Sequence, residues 1–128
     1  MIVVDTSALI AILKDEPEAK SCFDALRHAK GVAMSTGTLT EALIVSARRD
    51  FQPEMVDLIA LVVTDIIDVT RAEEAASAYR RFGKGFHPAS LNFGDCFAYG
   101  LAREFSCPLL YIGDDFARTD IAAARAKA

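Results

Sequence analysis

Tryptophan is absent from the 128-residue chain, and histidine and cysteine are scarce, at two and three residues. Cys22, Cys96 and Cys107 are odd in number and far apart, with no C-x-x-C pair and only His28 and His87 as imidazoles. Such spacing argues against both a zinc site and a disulfide framework. The cysteines are expected to be small buried apolar groups in a reducing compartment. Nor does any stretch approach the roughly 18 uninterrupted apolar residues of a spanning helix. The opening run Met1-Ile2-Val3-Val4 lacks a basic segment and meets Asp5 at once, unlike a signal peptide. A cytoplasmic protein without membrane contact is the expectation. An excess of positive charge is missing as well, since 14 Lys and Arg face 18 Asp and Glu, for a formal charge of -4. Broad electrostatic adhesion to nucleic acid is thereby disfavoured, but not an acidic pocket rimmed by local basic residues.

What is present is a compact composition, 52% hydrophobic and 25% charged, with length for one domain over residues 1–128 and one buried core. Ile2-Val3-Val4 reads as a short buried strand, followed by the turn Asp5-Thr6-Ser7 and a helix over residues 8–14. Asp15 is then expected to cap a second helix, with Pro17 in its first turn and an end near Gly31. Val32-Ala33-Met34 is a second strand, handing over through Ser35-Thr36-Gly37-Thr38 to a helix over 39–49, and another helix follows over 53–62. Residues 66–69 read as a third strand and Thr70-x-x-Glu73 as the capping box of a helix to Phe82. After a loop with Gly85 and Pro88, Asn92 opens a long helix with Phe93, Phe97, Leu101 and Phe105 near one stripe. Leu109-Leu110-Tyr111-Ile112 is the last strand, and the alanine-rich end over 121–128 is a final helical turn or frayed. Fully apolar strands of three or four residues alternating with helices require a parallel sheet covered on both faces, so the fold class is α/β in three layers, α/β/α.

In such sheets ligands bind beyond the carboxyl ends of the strands. Asp5 follows the first strand, Glu41 is expected in the first helical turn after the second, and Asp114 and Asp115 follow the last. Asp95 begins the long helix, where it can turn toward the same edge. Each has a plain structural alternative. Asp5 can be a helix cap, Thr38-x-x-Glu41 and Asn92-x-x-Asp95 both match capping boxes, and Asp114 and Asp115 can be turn residues. Joint placement at one edge is what independent caps do not demand. Carboxylates gathered there repel one another, and a divalent cation removes the conflict. Oxygen donors without a His or Cys partner suit magnesium or manganese, and a metal so held hydrolyses phosphodiesters by activating a bound water and stabilising charge on phosphoryl oxygens.

Four ordered segments carry a resemblance: Ile2-Val3-Val4-Asp5-Thr6-Ser7-Ala8-Leu9, Ser35-Thr36 with Glu41, Asn92-Phe93-Gly94-Asp95-Cys96-Phe97-Ala98-Tyr99, and Leu109-Leu110-Tyr111-Ile112-Gly113-Asp114-Asp115-Phe116. Together they resemble the PIN-domain ribonucleases, specifically the VapC toxins of type II toxin–antitoxin pairs, in order over nearly the whole chain. The resemblance implies a Mg2+-dependent endoribonuclease, with Mn2+ able to replace magnesium, that cuts structured RNA. It also implies a homodimer and inhibition by a cognate VapB-like antitoxin. Carried over residue by residue, Asp5 and Asp95 are metal ligands, Glu41 is the third acid, and Thr6 and Ser7 match the hydroxyl-bearing turn that helps hold the site. The family's threonine-x-aspartate pattern is replaced here by Tyr111-Ile112-Gly113-Asp114, so the fourth acid falls at Asp114 or its neighbour Asp115, with Asp114 the first choice.

Arg80 to His87 is the candidate RNA-facing rim, although a solvated helix end explains the same charges, and Arg48 and Arg49 share that ambiguity. Two other carboxylate chemistries are disfavoured. A receiver domain wants paired acids after the first strand and a lysine after the last, and an aspartyl phosphatase wants an acid where Ser7 stands. A binding-only relative would be missing matched acids, and none is missing.

Overall fold

The computed structural model describes residues 1–68 and 72–125. Within them lie β1 (Ile2–Val4), α1 (Thr6–Leu13), α2 (Ala19–His28), β2 (Val32–Ser35), α3 (Thr36–Arg48), α4 (Gln52–Val62), β3 (Asp65–Ile67), α5 (Ala72–Phe82), α6 (Phe93–Glu104) and β4 (Leu109–Leu110). The four strands form one sheet in the order β3-β2-β1-β4, and every neighbouring pair is parallel. Alternation along β1, β2 and β4 divides the core, while the edge strand β3 is largely exposed. Val3, Ala33 and Leu109 point to one face, where they meet Phe82, Tyr99 and Leu101 of α5 and α6. Val4, Val32, Met34 and Leu110 point to the other, against Leu9, Leu26, Met55 and Leu58 from α1, α2 and α4. A period of two with both sets apolar is what a sheet covered by helices on each face needs. The fold is thus the expected three-layer α/β/α arrangement.

Several local expectations are corrected. Asp15 does not cap α2. It stands in the left-handed region (φ 51°) and closes α1, with Asp15 N–H donating to Ile12 O (3.2 Å) and Glu16 N–H to Ala11 O (2.9 Å). That pair of bonds is a Schellman closure, which an Asp tolerates because its short polar side chain makes left-handed backbone accessible. Helix α2 starts only at Ala19, with Glu18 as an N-cap that makes no side-chain bond. Helix α3 starts at Thr36, earlier than expected, because the Ser35 side chain caps it by accepting from Gly37 N–H (3.1 Å). Thr38 consequently lies inside the helix, fully buried, and Glu41 falls in the second turn. No Thr38–Glu41 capping box exists. The Asn92–Asp95 box does form.

The aromatic stripe on α6 is only partly buried. Leu101 is inaccessible, but Phe93 is 76% exposed, because the helix turns Cys96, Tyr99, Leu101 and Ala102 to the core instead. Strand β4 ends at Leu110, and the chain returns beside it. Leu109 bonds to Ala122 O and accepts from Ala124 N–H, both at 2.9 Å, so residues 122–124 run alongside the strand rather than forming a helical turn. Val69, Thr70 of the expected Thr70-x-x-Glu73 box, and residues 126–128 lie outside the described residues. Cys22 and Cys96 are buried free thiols and Cys107 is half-buried. Among the described residues no helix is long and apolar enough to cross a membrane.

Candidate active site

The site begins where β1 stops. Asp5 keeps an extended backbone (φ -96°, ψ 156°) and caps α1; its Oδ2 accepts from Ser7 N–H (3.0 Å) and Ser7 Oγ–H (2.6 Å). Ser7 Oγ in turn accepts from Ile112 N–H (3.0 Å), which fastens the segment after β4 to the segment after β1. Thr6 Oγ1–H reaches Thr38 O at 3.4 Å, joining α1 to α3. Asp5 is 3% exposed, and its second oxygen, Oδ1, is buried with no hydrogen-bond partner. A buried carboxylate oxygen left unpaired is costly. Burial pushes the Asp5 carboxyl from 3.8 up to about 6 against the Ser7 bonds that lower it, and the charge of Glu41 adds to the rise.

Asp95 arrives from the opposite side of the sheet's edge, in the first turn of α6. Its Oδ2 accepts from Asn92 N–H (3.0 Å), while Asn92 Oδ1 accepts from Asp95 N–H (2.8 Å). The cap that explains this residue structurally also fixes where its carboxylate sits. Burial pushes Asp95 up to about 7, and the charges of Asp5, Glu41 and Asp115 push the same way. Asp95 thus feels the charge of three other acids, from the cap of α1, from α3 and from the turn after β4.

Glu41 is brought in by a missing side chain. A Cβ on Gly94 would stand 2.2 Å from Glu41 Oε2 and 2.8 Å from its carboxyl carbon, so only glycine lets this carboxylate lie against the start of α6. Sequence reasoning did not find Gly94, although a glycine inside a capping box, where it favours no helix, is a usable signal. The Ser7–Ile112 bond was also missed, because nothing local in the sequence pairs positions so distant. We expect Gly94→Ala to lower the activity of this site about 10–100-fold, the range seen when a group that orients the surroundings of a metal is displaced. Its melting temperature should hardly change, since the displaced atoms are the mobile end of a glutamate and alanine favours helix. Unchanged turnover with a displaced Glu41 would remove Glu41 from the site.

The adjacent aspartates part company. The charge of Asp115 bears on Asp95, whereas Asp114 lines a cleft of about 300 Å3 with Glu18, Tyr111 and Arg125. Among the described residues no three Asp, Glu, His or Cys side chains form a ready-made ion cage. Magnesium needs none, since it commonly takes one or two carboxylates directly and keeps its waters. Of the expected rim, Arg81 is committed elsewhere, paired with Asp120 (3.1 Å) and lying over the Phe82 ring (4.8 Å). His87 Nδ1 accepts from Ala89 N–H (3.0 Å), with its ring edge-on to Phe82.

Acids gathered beyond the carboxyl ends of a short parallel sheet lie where an α/β fold of this kind places its ligands. The chain belongs to the PIN domain family, whose model matches residues 2–122, and it is a nuclease. It is 44% identical over 130 residues to a Ribonuclease VapC of Mycolicibacterium smegmatis, covering 95% of this chain and 98% of that one. Its fold is shared with VapC20 of Mycobacterium tuberculosis, described as a Sarcin-Ricin loop cleaving toxin (TM-score 0.76, 17% identity, 98% and 100% of the two chains). A further likeness is to VapBC2 of Rickettsia felis, solved bound to a DNA fragment from its promoter (TM-score 0.70, 13% identity, 96% of each chain).

Proposed function

We propose that this protein is the toxin of a type II toxin–antitoxin pair, an endoribonuclease that works with a divalent ion, magnesium or manganese in its place, held by Asp5 and Asp95. The observation that carries this reading is the buried, unpartnered Oδ1 of Asp5, in a carboxylate whose charge acts on Asp95 and which itself feels the charge of Glu41. An all-oxygen donor set in which burial, and secondarily neighbouring carboxylates, hold Asp5 and Asp95 above the usual carboxylate range suits a hard cation. When bound, the ion supplies an activated water and stabilises charge on the phosphoryl oxygens.

The remaining chemistry belongs to the chain. Ser7 holds Oδ2 of Asp5 by two bonds, which leaves Oδ1 as the ligand. The Asn92 cap aims Asp95. Glu41, packed on Gly94, and Asp115 remain to accept protons from waters and to orient them. Asp115, whose charge bears on Asp95, is our choice for the fourth acid in place of Asp114, the first choice from the sequence. A VapB-like antitoxin is the inhibitory partner; the likeness to the VapBC2 complex supports it. The homodimer and the RNA substrate rest on the family resemblance.

The test is cleavage by the purified chain, freed of any partner, on structured RNA. Cleavage with magnesium, abolished by EDTA and restored by excess metal, is the expected result. Cleavage indifferent to EDTA, or none across metals and RNAs, contradicts the reading. In the same assay Asp115→Asn should cost about tenfold or more and Asp114→Asn little; the opposite order returns the fourth acid to Asp114.

A further inference from the structure

Three side chains from two helices converge on Asp120, a carboxylate outside the acid cluster. Its Oδ1 accepts from the Tyr99 hydroxyl of α6. Its Oδ2 accepts from Arg81 Nη2 of α5 (3.1 Å), with Arg103 Nη1 of α6 at 3.9 Å. Tyr99 is 2% exposed, and its ring lies against Phe82, centroids 5.5 Å apart. A phenol so buried needs an acceptor, but an acceptor alone does not call for two arginines. The Tyr99 bond, and then Arg81, hold the Asp120 carboxyl below its usual range, so it meets them ionised. The chain leading to Asp120 is tied as closely. Arg118 N–H donates to Asp114 O (3.2 Å) and Asp115 O (3.3 Å), and Thr119 N–H to Phe116 O (3.0 Å). Thr119 Oγ1–H donates to Phe116 O (2.6 Å) and Oγ1 accepts from Ile121 N–H (3.2 Å). Phe116 is buried, its ring tilted against Tyr111 at 5.3 Å. Residues 114–121 are thus one bonded piece, with Asp115 at its start and Asp120 near its end.

We propose that Asp120, clasped by Tyr99, Arg81 and Arg103, is a positioning residue that fixes Asp115 against Asp95. Asp95 and Tyr99 stand four residues apart on α6, about one turn along the same face of the helix. The path from Asp95 to Tyr99, across the hydrogen bond to Asp120 and back through the bonded piece to Asp115 therefore closes a ring around the two acids. Ser7 secures the chain at Ile112, but Gly113 follows with its positive φ of 102°, a point where the backbone has more than one course open to it. The clasp ties what lies beyond that glycine to the helix that carries Asp95. Because Arg81 and Arg103 share Oδ2, α5, α6 and the bonded piece all meet at a single carboxylate. The charge of Asp115 reaches Asp95, as this arrangement requires. A clasp that served Tyr99 alone would add stability to the core and nothing that depends on Asp115.

This inference rests on the assignment of Asp95 and Asp115 to the site, and a double-mutant cycle separates the two. Tyr99→Phe keeps the ring and deletes its bond, Asp120→Ala deletes every arm of the clasp, and Asp120→Asn keeps an oxygen for Tyr99. Each is made alone and together with Asp115→Asn. Two quantities are read: single-turnover RNA cleavage at saturating magnesium, and Mn2+ affinity from the paramagnetic resonance signal of the free ion. Tyr99→Phe and Asp120→Ala should each lower cleavage and weaken Mn2+ binding about tenfold, the low end for groups that orient the surroundings of a metal. Asp120→Asn should lose less than Asp120→Ala. In the Asp115→Asn background the same changes should cost less than about twofold in both readouts, since the acid they position is gone. Their drop in Tm, measured in EDTA, should be alike in the two backgrounds. Equal losses of cleavage and Mn2+ affinity in both backgrounds, or Tyr99→Phe at wild-type levels in both readouts, overturn the positioning role and leave the site assignment standing. Asp115→Asn with wild-type cleavage and Mn2+ affinity overturns the assignment of Asp115, and the role of the clasp with it.

Discussion

Asp5→Asn and Asp95→Asn are each expected to abolish detectable cleavage, with losses above about 100-fold, while the protein keeps its far-ultraviolet dichroism and its cooperative melt. Partners that merely orient a metal ligand cost about 10–100-fold when removed, and loss of the ligand itself has to exceed that. Ser7→Ala supplies the internal comparison. It deletes the hydroxyl bonded to Asp5 Oδ2 and to Ile112 N–H, and belongs in the lower range. The fold survives for a structural reason. An amide oxygen can accept from Ser7 N–H as the carboxylate does, and asparagine caps helices as well as aspartate. At position 95 the amide oxygen can likewise take the Asn92 N–H. Only the charge is lost, and with it the affinity for a hard cation. More than a tenth of wild-type turnover in either variant would show that the ion, if any, is held elsewhere.

The sheet and its edge were legible because their signals are local. Ile2-Val3-Val4 and Val32-Ala33-Met34 are runs too short and too apolar for anything but covered strands, and Asn92-x-x-Asp95 announces its own helix start. The errors came where one residue type serves two purposes. Asp15 looks like a cap and acts as a left-handed helix end, a choice settled by the bond from Glu16 N–H to Ala11 O, not by the identity of Asp15. Thr38 looks like a cap, but Ser35 competes for the same helix start. At the site, the sequence offered Asp114 ahead of Asp115 without a signal for which of the two faces Asp95. Their difference lies in the path of a turn around Gly113, which has a positive φ of 102°. Gly94 and the Ser7–Ile112 bond were illegible for another reason: each matters only through an element far away in sequence that tertiary packing brings alongside.

The acids that serve the reaction should also make the metal-free protein lose stability as pH rises from about 5 to 8. Asp5 and Asp95 start from 3.8 and are raised to about 6 and about 7 in the folded state. Between those values the folded chain holds protons that the unfolded chain has released, so raising pH favours unfolding. Below 3.8 both states are protonated and the effect vanishes; above about 7 the full penalty is present. For Asp5 the rise corresponds to about 3 kcal/mol at pH 8, and Asp95, part-exposed, adds less because solvent screens it. Asp24 and Asp120 are lowered by their partners and lose their contribution only in acid, so they do not mask the slope. Thermal melts in EDTA should therefore show a Tm about 10 °C lower at pH 8 than at pH 5. Magnesium should recover most of this at pH 8 and little at pH 5, because binding requires the ionised carboxylates. Asp5→Asn should flatten the slope and, without metal at pH 8, melt above the wild type. An equal magnesium shift at both pH values, or a metal-free Tm that climbs between pH 5 and 8, would mean that the buried oxygen of Asp5 is not the ligand. The same burial that makes this carboxylate costly to ionise is what makes a cation beside it worth holding.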